Sequence, residues 1–186
     1  MARVTVVDPK NATGEAAELL GAVQAQLGIT PNFIRVLANS PKALAGFLGL
    51  YGAAAAFVVD KATQERIALA VAEGNGCQYC VSAHTAIGRH AGLTNEEMEL
   101  NRRGLSKDAK AAGAVAFAKA LNDHLGSVTS DEFAAARAAG LTDGELVEVI
   151  AIVALNIFTN VLGKATQVEI DFPKVELLHA PENALA

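Results

Sequence analysis

The chain has 186 residues, of which 52% are hydrophobic and 19% charged, with seven phenylalanines, two tyrosines, no tryptophan and two cysteines. This apolar share excludes an intrinsically disordered chain, and two cysteines exclude a disulfide scaffold. The net charge of −5 provides no basic field for nucleic acid or an anionic membrane surface. Few aromatic residues and many alanines favour an all-α fold.

No Pro-rich, Ser-rich or low-complexity linker divides the sequence, so residues 1–186 are expected to form one domain. The opening residues MARVTVVDPKN lack the charged-then-apolar pattern of a signal peptide, and a cytoplasmic location is therefore expected. The uncharged run 43–59 contains three glycines and is shorter than the roughly 20 apolar residues that cross a bilayer. We interpret this run as a buried helix.

Six helices are predicted in the first 103 residues, each bounded by a capping residue, a proline or a glycine. They are expected over 13–27, from Thr30-Pro31 onward, from Ser40-Pro41 to about 59, over 61–73 after the Asp60 cap, from Cys77 to about 91, and from the capping box Thr94-Asn95-Glu96-Glu97 to 103.

Three further helices are predicted in the second half: 107–125 after a Ser106 cap, a short helix through 139 after Thr129 or Ser130, and a long helix after Thr142. The long helix contains the run 149–163, which is apolar on nearly all sides and is therefore expected to be buried all round. The tail after Phe172-Pro173 is expected to be peripheral.

Residues 65–77 and 145–157 resemble each other weakly, since each begins with an acid and continues as an apolar helix. Cys80 and His84 correspond to Asn160 and Lys164 in this alignment, so the second copy lacks the cysteine chemistry. A degenerate internal helical repeat and a chance similarity of two buried helices explain the likeness equally well.

The cysteine chemistry is expected on one helix face, because Cys77, Cys80 and His84 are separated by three and four residues. Cys80 and His84 should be in contact, and an imidazole beside a thiol favours the nucleophilic thiolate. Cys77 follows Gly74-Asn75-Gly76 at the helix start, where free N–H groups and the helix dipole favour an anion. The spacing predicts a two-thiol redox centre.

Glu65 lies early on the preceding helix, and its neighbours at helical spacing are Ala68, Leu69 and Ala72. If the carboxyl group is held against this apolar face, its pKa is raised by desolvation, which suits proton transfer near neutral pH. A solvated glutamate in a first helical turn is the alternative.

The motif over residues 65–84, Glu65-x11-Cys77-x2-Cys80-x3-His84, resembles the alkylhydroperoxidase D-like (AhpD-like) members of the carboxymuconolactone decarboxylase superfamily. The likeness extends over about residues 30–173 and is nearest to the peroxidase-related subgroup. It implies an all-α AhpD-like fold and peroxide reduction in which Cys80 becomes a sulfenic acid that Cys77 resolves to a disulfide. Glu65 and His84 match the proton-relay positions of the family.

Tyr79 stands where the best-known members of the family have a second histidine between the cysteines. Its hydroxyl can relay a proton, although the reference pKa of tyrosine is about 10. The resemblance also implies a hydroperoxide substrate, no cofactor or bound metal, and an external dithiol reductant such as a dihydrolipoamide protein.

A homotrimer or homohexamer is expected. The helices over 43–59 and 149–163 offer little polar surface, and Gly46, Gly49 and Gly52 would let another helix approach closely. Related members of the family assemble in these two forms.

Three alternatives remain at the level of the sequence. The Cys-x2-Cys-x3-His ligands could bind zinc with Glu65 or water as the fourth ligand, although structural zinc sites usually combine two separate segments. The pair could belong to a disulfide oxidoreductase or redox sensor that exchanges with protein thiols. The chain could also be a non-catalytic helical assembly module, against which the intact four-residue motif argues.

Overall fold

The structure is a computed structural model that describes residues 2–178. Within this range the chain forms nine helices and no strand, which confirms the predicted all-α fold. The helices are α1 (Gly14–Leu27), α2 (Asn32–Leu37), α3 (Pro41–Ala54), α4 (Lys61–Gly74), α5 (Gln78–His90), α6 (Asn95–Arg102), α7 (Ala109–Asp123), α8 (Ser130–Ala138) and α9 (Asp143–Thr166).

Most of the predicted helix starts are confirmed, because capping is decided by local sequence. In each of these cases the side-chain oxygen of the cap accepts the backbone N–H of the residue three positions later; the caps are Ser40, Asp60, Thr94, Thr129 and Thr142. The last two complete capping boxes with Glu132 and Glu145.

Two predicted caps are wrong because their hydroxyls bind other side chains. Thr30 Oγ1 donates to Gln24 Oε1 at 2.8 Å, and α2 begins after Pro31 without a side-chain cap. Ser106 Oγ donates to Glu97 Oε1, and Asp108 caps α7 instead.

Helix α3 ends at Ala54, about five residues before the predicted end near 59. The carboxylate of Glu148, on α9, accepts the backbone N–H groups of Val58 and Val59 at 3.0 and 2.8 Å. Gln64 Nε2 donates to the carbonyl groups of Ala54 and Val59 at 2.9 and 2.8 Å. These long-range bonds satisfy backbone groups that a continuing helix would have used internally.

Helix α4 is the centre of the described fold and contacts α5, α6, α7 and α9. Its residues 67–72 are almost fully buried between the two main apolar clusters. One cluster joins α1, α2, α3 and α5, and the other joins α4, α7, α8 and α9. The two segments of the weak internal likeness begin in α4 and α9, which pack against each other.

Within the single chain, one side of each apolar helix is exposed rather than buried. Helix α9 buries Val149 and Ile152, but Val147, Phe158 and Val161 are 65%, 43% and 62% exposed. Helix α3 fully buries only Leu44 and Ala54. Each helix packs on the rest of the chain along one face only, so apolar composition alone overestimated burial. The α3 and α9 surfaces adjoin where the rings of Phe47 and Phe158 lie 6.4 Å apart.

Among the described helices, only α9 is long and apolar enough to cross a membrane, with a mean hydropathy of 2.0 in its most apolar window. In that window, 44% of the residues are buried inside the fold. Core helices pass the same test, so this composition is weak evidence for a membrane span.

Residues 168–178 lie along α5, so the part of the C-terminal tail that the structure describes is not peripheral as expected; the rest of the tail, 179–186, lies outside the described residues. Val175 N donates to Ser82 Oγ at 3.0 Å, and Leu178 N donates to Glu73 Oε1 at 2.6 Å. The ring of Phe172 packs edge-on against Tyr79 at 5.8 Å. The tail therefore covers the helix that carries the cysteine pair.

Candidate active site

Cys77 is the N-cap of α5, and Cys80 lies in the first turn of that helix, as the spacing predicts. Gly76 adopts a φ of 61°, a left-handed conformation that favours glycine and turns the chain from α4 into α5. Cys77 and Cys80 are joined by a disulfide with their Cα atoms 5.3 Å apart. The backbone N–H of Cys80 also donates to Cys77 Sγ at 3.4 Å.

The disulfide is buried against the backbone of α9. Cys77 and Cys80 are 1% and 3% exposed. A Cβ atom added at Gly163 would lie 3.3 Å from Cys77 Sγ and 3.9 Å from Cys80 Sγ. Gly163 was not among the predicted site residues, although a glycine that interrupts an apolar helical run is a signal of close approach.

A cavity of about 160 Å³ opens beside Cys80. It is lined mainly by apolar side chains from α1, α2, α3, α4, α5 and α9; the aromatic ones are Phe33, Phe47, Tyr51, Tyr79 and Phe172. Cys80, Glu65 and His84 line this cavity, whereas Cys77 does not. Cys80 is therefore the sulfur that a molecule in the cavity would reach.

Glu65 is 2% exposed, and each of its carboxylate oxygens has a partner. Oε2 accepts a hydrogen bond from His84 Nδ1 at 2.7 Å, and Oε1 binds Lys61 Nζ at 2.8 Å. Burial by itself would raise the pKa of Glu65, but His84 and Lys61 outweigh burial and hold the pKa below its usual value. The expected burial is found, and both the raised pKa and the alternative of a solvated glutamate are wrong.

The ionised state of Glu65 determines which ring nitrogen of His84 carries a hydrogen in this contact. A carboxylate can only accept hydrogen bonds, so Nδ1 of His84 carries the hydrogen in this contact. Among the described residues, Nε2 of His84 has no hydrogen-bond partner and no hydrogen bond joins the ring to either cysteine. His84 and Cys80 instead face the same cavity, which leaves Nε2 as the ring nitrogen available to a bound molecule.

The structure does not bring the Tyr79 hydroxyl to the Glu65–His84 pair. The hydroxyl donates to Asp171 Oδ1 at 2.9 Å and accepts the backbone N–H of Phe33 at 3.3 Å. Burial and the Asp171 carboxylate raise the pKa of Tyr79, so the hydroxyl stays protonated. These contacts connect α5 with α2 and the tail.

Three amide side chains that were not predicted as site residues, those of Asn75, Asn122 and Asn160, hold the turn before Cys77. Asn75 Nδ2 donates to Asn122 Oδ1 and to Asn160 Oδ1, both at 2.9 Å. Lys164 Nζ donates to the backbone carbonyl of Asn75 at 2.7 Å. A polar residue inside the apolar run of α9 was the available signal for Asn160, because a buried amide needs a partner.

Lys61 was also missed, although it lies four residues before Glu65 on the same helix, the spacing at which a lysine and a glutamate pair.

The zinc alternative gains no support from the geometry. In residues 2–178, no group of three or more His, Cys, Asp or Glu side chains is placed to hold a metal ion.

Comparisons with known proteins bear on the fold and on part of the sequence. Residues 41–123 match the sequence model of the Carboxymuconolactone decarboxylase family. This segment, just under half of the chain, is similar to that family. The matched segment runs from the first residue of α3 to the last residue of α7 and includes Glu65, both cysteines and His84. No curated protein matches the chain in sequence.

Several solved structures share the AhpD-like fold. An uncharacterized peroxidase-related protein from Silicibacter sp. TM1040 is 21% identical, with 90% of this chain and 91% of that chain covered and a TM-score of 0.79. The alkylhydroperoxidase AhpD core of an uncharacterized peroxidase-related protein from Ralstonia eutropha JMP134 is 22% identical, with coverage of 91% and 92% and a TM-score of 0.81.

The debrominase Bmp8, in a crystal structure with 2,3,4-tribromopyrrole, is 21% identical, with 92% of this chain and 94% of that chain covered and a TM-score of 0.75. At these identities the likeness establishes the fold. A debrominase and peroxidase-related proteins share this fold, so the reaction has to be argued from this chain's own residues.

Proposed function

We propose that this protein is a thiol-dependent peroxidase that reduces hydroperoxides through the Cys77–Cys80 pair, with Glu65 and His84 as its proton relay. The observation that carries the proposal is the position of Cys80. It is the only one of the two sulfurs that lines the apolar cavity, and the Glu65–His84 pair lines the same cavity. A nucleophilic sulfur beside a group that moves protons is what the reduction of an O–O bond requires.

The proposed reaction balances in three steps. The Cys80 thiolate attacks the terminal oxygen of the hydroperoxide, the O–O bond breaks, and a proton from the relay leaves with the alcohol. The Cys77 thiol then attacks the Cys80 sulfenic acid, which forms the disulfide and releases water. An external dithiol finally reduces the disulfide to two thiols and is itself oxidised to a disulfide.

The reductant is proposed to be a slender dithiol, such as a dihydrolipoamide arm on a partner protein. Cys77 and Cys80 are 1% and 3% exposed, so a thiol has to enter the fold to reach their sulfurs. Thiol exchange needs direct access to the attacked sulfur, which a flexible arm provides better than a rigid protein surface. The cytoplasm, where such reductants keep thiols reduced, is the proposed location.

A titration of the thiols tests the proposal. The reduced protein should lose two thiols per chain within seconds of adding one equivalent of an organic hydroperoxide, because the chain has two cysteines and both enter the disulfide. The measurement is a thiol count with a chromogenic disulfide before and after the addition. Slow loss with rapid exchange toward protein disulfides would select a disulfide oxidoreductase, and neither reaction would select an assembly module.

Reductive removal of bromine from an aromatic ring is a second candidate, favoured by the aromatic side chains around Cys80. In this reaction two thiols become a disulfide while the ring exchanges bromine for hydrogen and releases bromide. This candidate would be favoured over the peroxidase if the reduced protein released bromide from a bromopyrrole and lost no thiols when hydroperoxide was added.

We further propose that the chain assembles as a homotrimer or homohexamer through the exposed apolar sides of α3 and α9. Light scattering with size exclusion should give a mass of three or six 19.2 kDa chains. Val161→Lys places a charge on that surface and should dissociate the assembly, whereas Leu125→Lys, at a residue that is 86% exposed outside both helices, should not. A single species near 19 kDa for the unaltered protein would contradict the proposal.

A further inference from the structure

We propose that Lys61 is a positioning residue of the redox site: its ammonium group holds the buried Glu65 carboxylate and thereby sets the proton-carrying form of His84. The inference rests on the proposed role of Glu65 and His84 and adds a third member to their relay. The position of the ammonium group carries the argument, since it binds the carboxylate oxygen that His84 leaves free.

The geometry gives Glu65 two different partners on its two oxygens. Lys61 is the first residue of α4, one helical turn before Glu65, and its Nζ lies 2.8 Å from Oε1. His84 approaches from α5, with Nδ1 2.7 Å from Oε2. An almost fully buried carboxylate is stable only when paired, so loss of either partner changes the charge state of the other two groups.

The Lys61 side chain extends from the Glu65–His84 pair to solvent. It is 50% exposed, its Nζ lies 5.4 Å above the ring of Tyr51, and it lines the cavity that reaches Cys80. The ionisable groups that face Glu65 are Lys61 from its own helix and His84 from α5, and Tyr51 of α3 faces Lys61. The ammonium is therefore one of the two groups that bind the buried carboxylate.

Removal of the ammonium should change the pH at which the site becomes reactive. Without this positive charge Glu65 takes up a proton more readily, because a nearby cation stabilises a carboxylate. A neutral Glu65 makes His84 a weaker acceptor for the proton of Cys80. The Cys80 thiolate should then form only at higher pH. We expect the midpoint of thiolate formation to rise by about one pH unit, which corresponds to an about tenfold lower rate below the midpoint.

Alkylation of Cys80 measures this shift without any peroxide. In a Cys77→Ser background Cys80 is the one thiol of the chain, so the rate of its reaction with iodoacetamide against pH reports one sulfur. Lys61→Met should raise the midpoint by about one unit, and Lys61→Gln should shift it in the same direction. Lys61→Arg keeps the charge and should restore the original midpoint. An unchanged midpoint in the folded Met and Gln variants would overturn the proposal.

Lys110 provides a matched control. Its Nζ lies 2.7 Å from Glu145 Oε1, and the two side chains are 53% and 7% exposed, against 50% and 3% for Lys61 and Glu65. Lys110→Met therefore breaks an equivalent pair that does not line the cavity beside Cys80. It should leave the midpoint in place, and an equal shift would overturn a specific role for Lys61.

A double-mutant cycle distinguishes action through Glu65 from direct action on the sulfur. In a Glu65→Gln background, Lys61→Met should add no further shift. A full shift in that background would show that the ammonium acts on Cys80 directly and would refute the positioning role. The peroxidase proposal and the Lys61 proposal can be refuted independently, because the alkylation profile can be measured even in a protein that does not reduce hydroperoxide.

Discussion

Cys80→Ser should form no sulfenic acid when the reduced protein meets one equivalent of hydroperoxide, whereas Cys77→Ser should trap a sulfenic acid at Cys80. Cys80 lines the cavity together with Glu65 and His84, and Cys77 lies outside it with 1% of its surface exposed. Labelling with dimedone followed by mass spectrometry identifies the oxidised residue. Both variants should lose sustained turnover, because neither can form the disulfide that the dithiol reduces.

The opposite labelling pattern would make Cys77 the peroxide-reactive residue. Its position as the N-cap of α5 permits this outcome, since the N-terminus of a helix stabilises a thiolate. Serine and cysteine side chains are similar in size, so the temperature of thermal unfolding of the reduced variants should remain near that of the reduced, unaltered protein. A large loss of stability in one variant alone would be a sign that its labelling reflects unfolding.

The local part of the site could be predicted from the sequence. The start of α5 at the cysteine pair depends on Gly74-Asn75-Gly76 and on helical spacing, which neighbouring residues decide. The charge state of Glu65 could not be derived in this way. Burial would raise its pKa, but His84 and Lys61 lower it. The four-residue spacing of Lys61 was a local signal, whereas His84 arrives from a different helix, a contact that neighbouring residues do not decide.

The fold shows the same division between local and distant causes. Serine, threonine and aspartate caps placed most helix starts correctly, and the all-α class followed from composition. The exposed side of α9 and the docked tail were missed, because burial depends on which elements pack together. Asp171, for example, binds Tyr79 and the backbone N–H of Asn32, and nothing in the residues around Asp171 predicts either partner.

Glu65→Gln should lower the rate of hydroperoxide reduction by about 10² to 10⁴, the range that a general acid–base group contributes. Glutamine has nearly the same shape but cannot ionise, and its NH₂ group must face a donor on either Lys61 or His84. His84 then loses the anion that fixes its Nδ1 hydrogen, so Nε2 is no longer held in the form that exchanges a proton in the cavity. Single-turnover loss of thiols, measured over a range of pH values, gives the rate.

The stability of this variant separates proton transfer from a structural role. Glutamine removes a buried charge, which is costly to bury, together with the two pairings that offset that cost, so the temperature of unfolding should change little. Glu145→Gln is the matched control, since Glu145 is also a buried, lysine-paired glutamate but lies outside the cavity. It should keep its turnover, and its capping box can persist because the glutamine oxygen also accepts the Thr142 N–H. Normal turnover by folded Glu65→Gln would show that Glu65 passes no proton, and His84 would then have to act without an anionic partner.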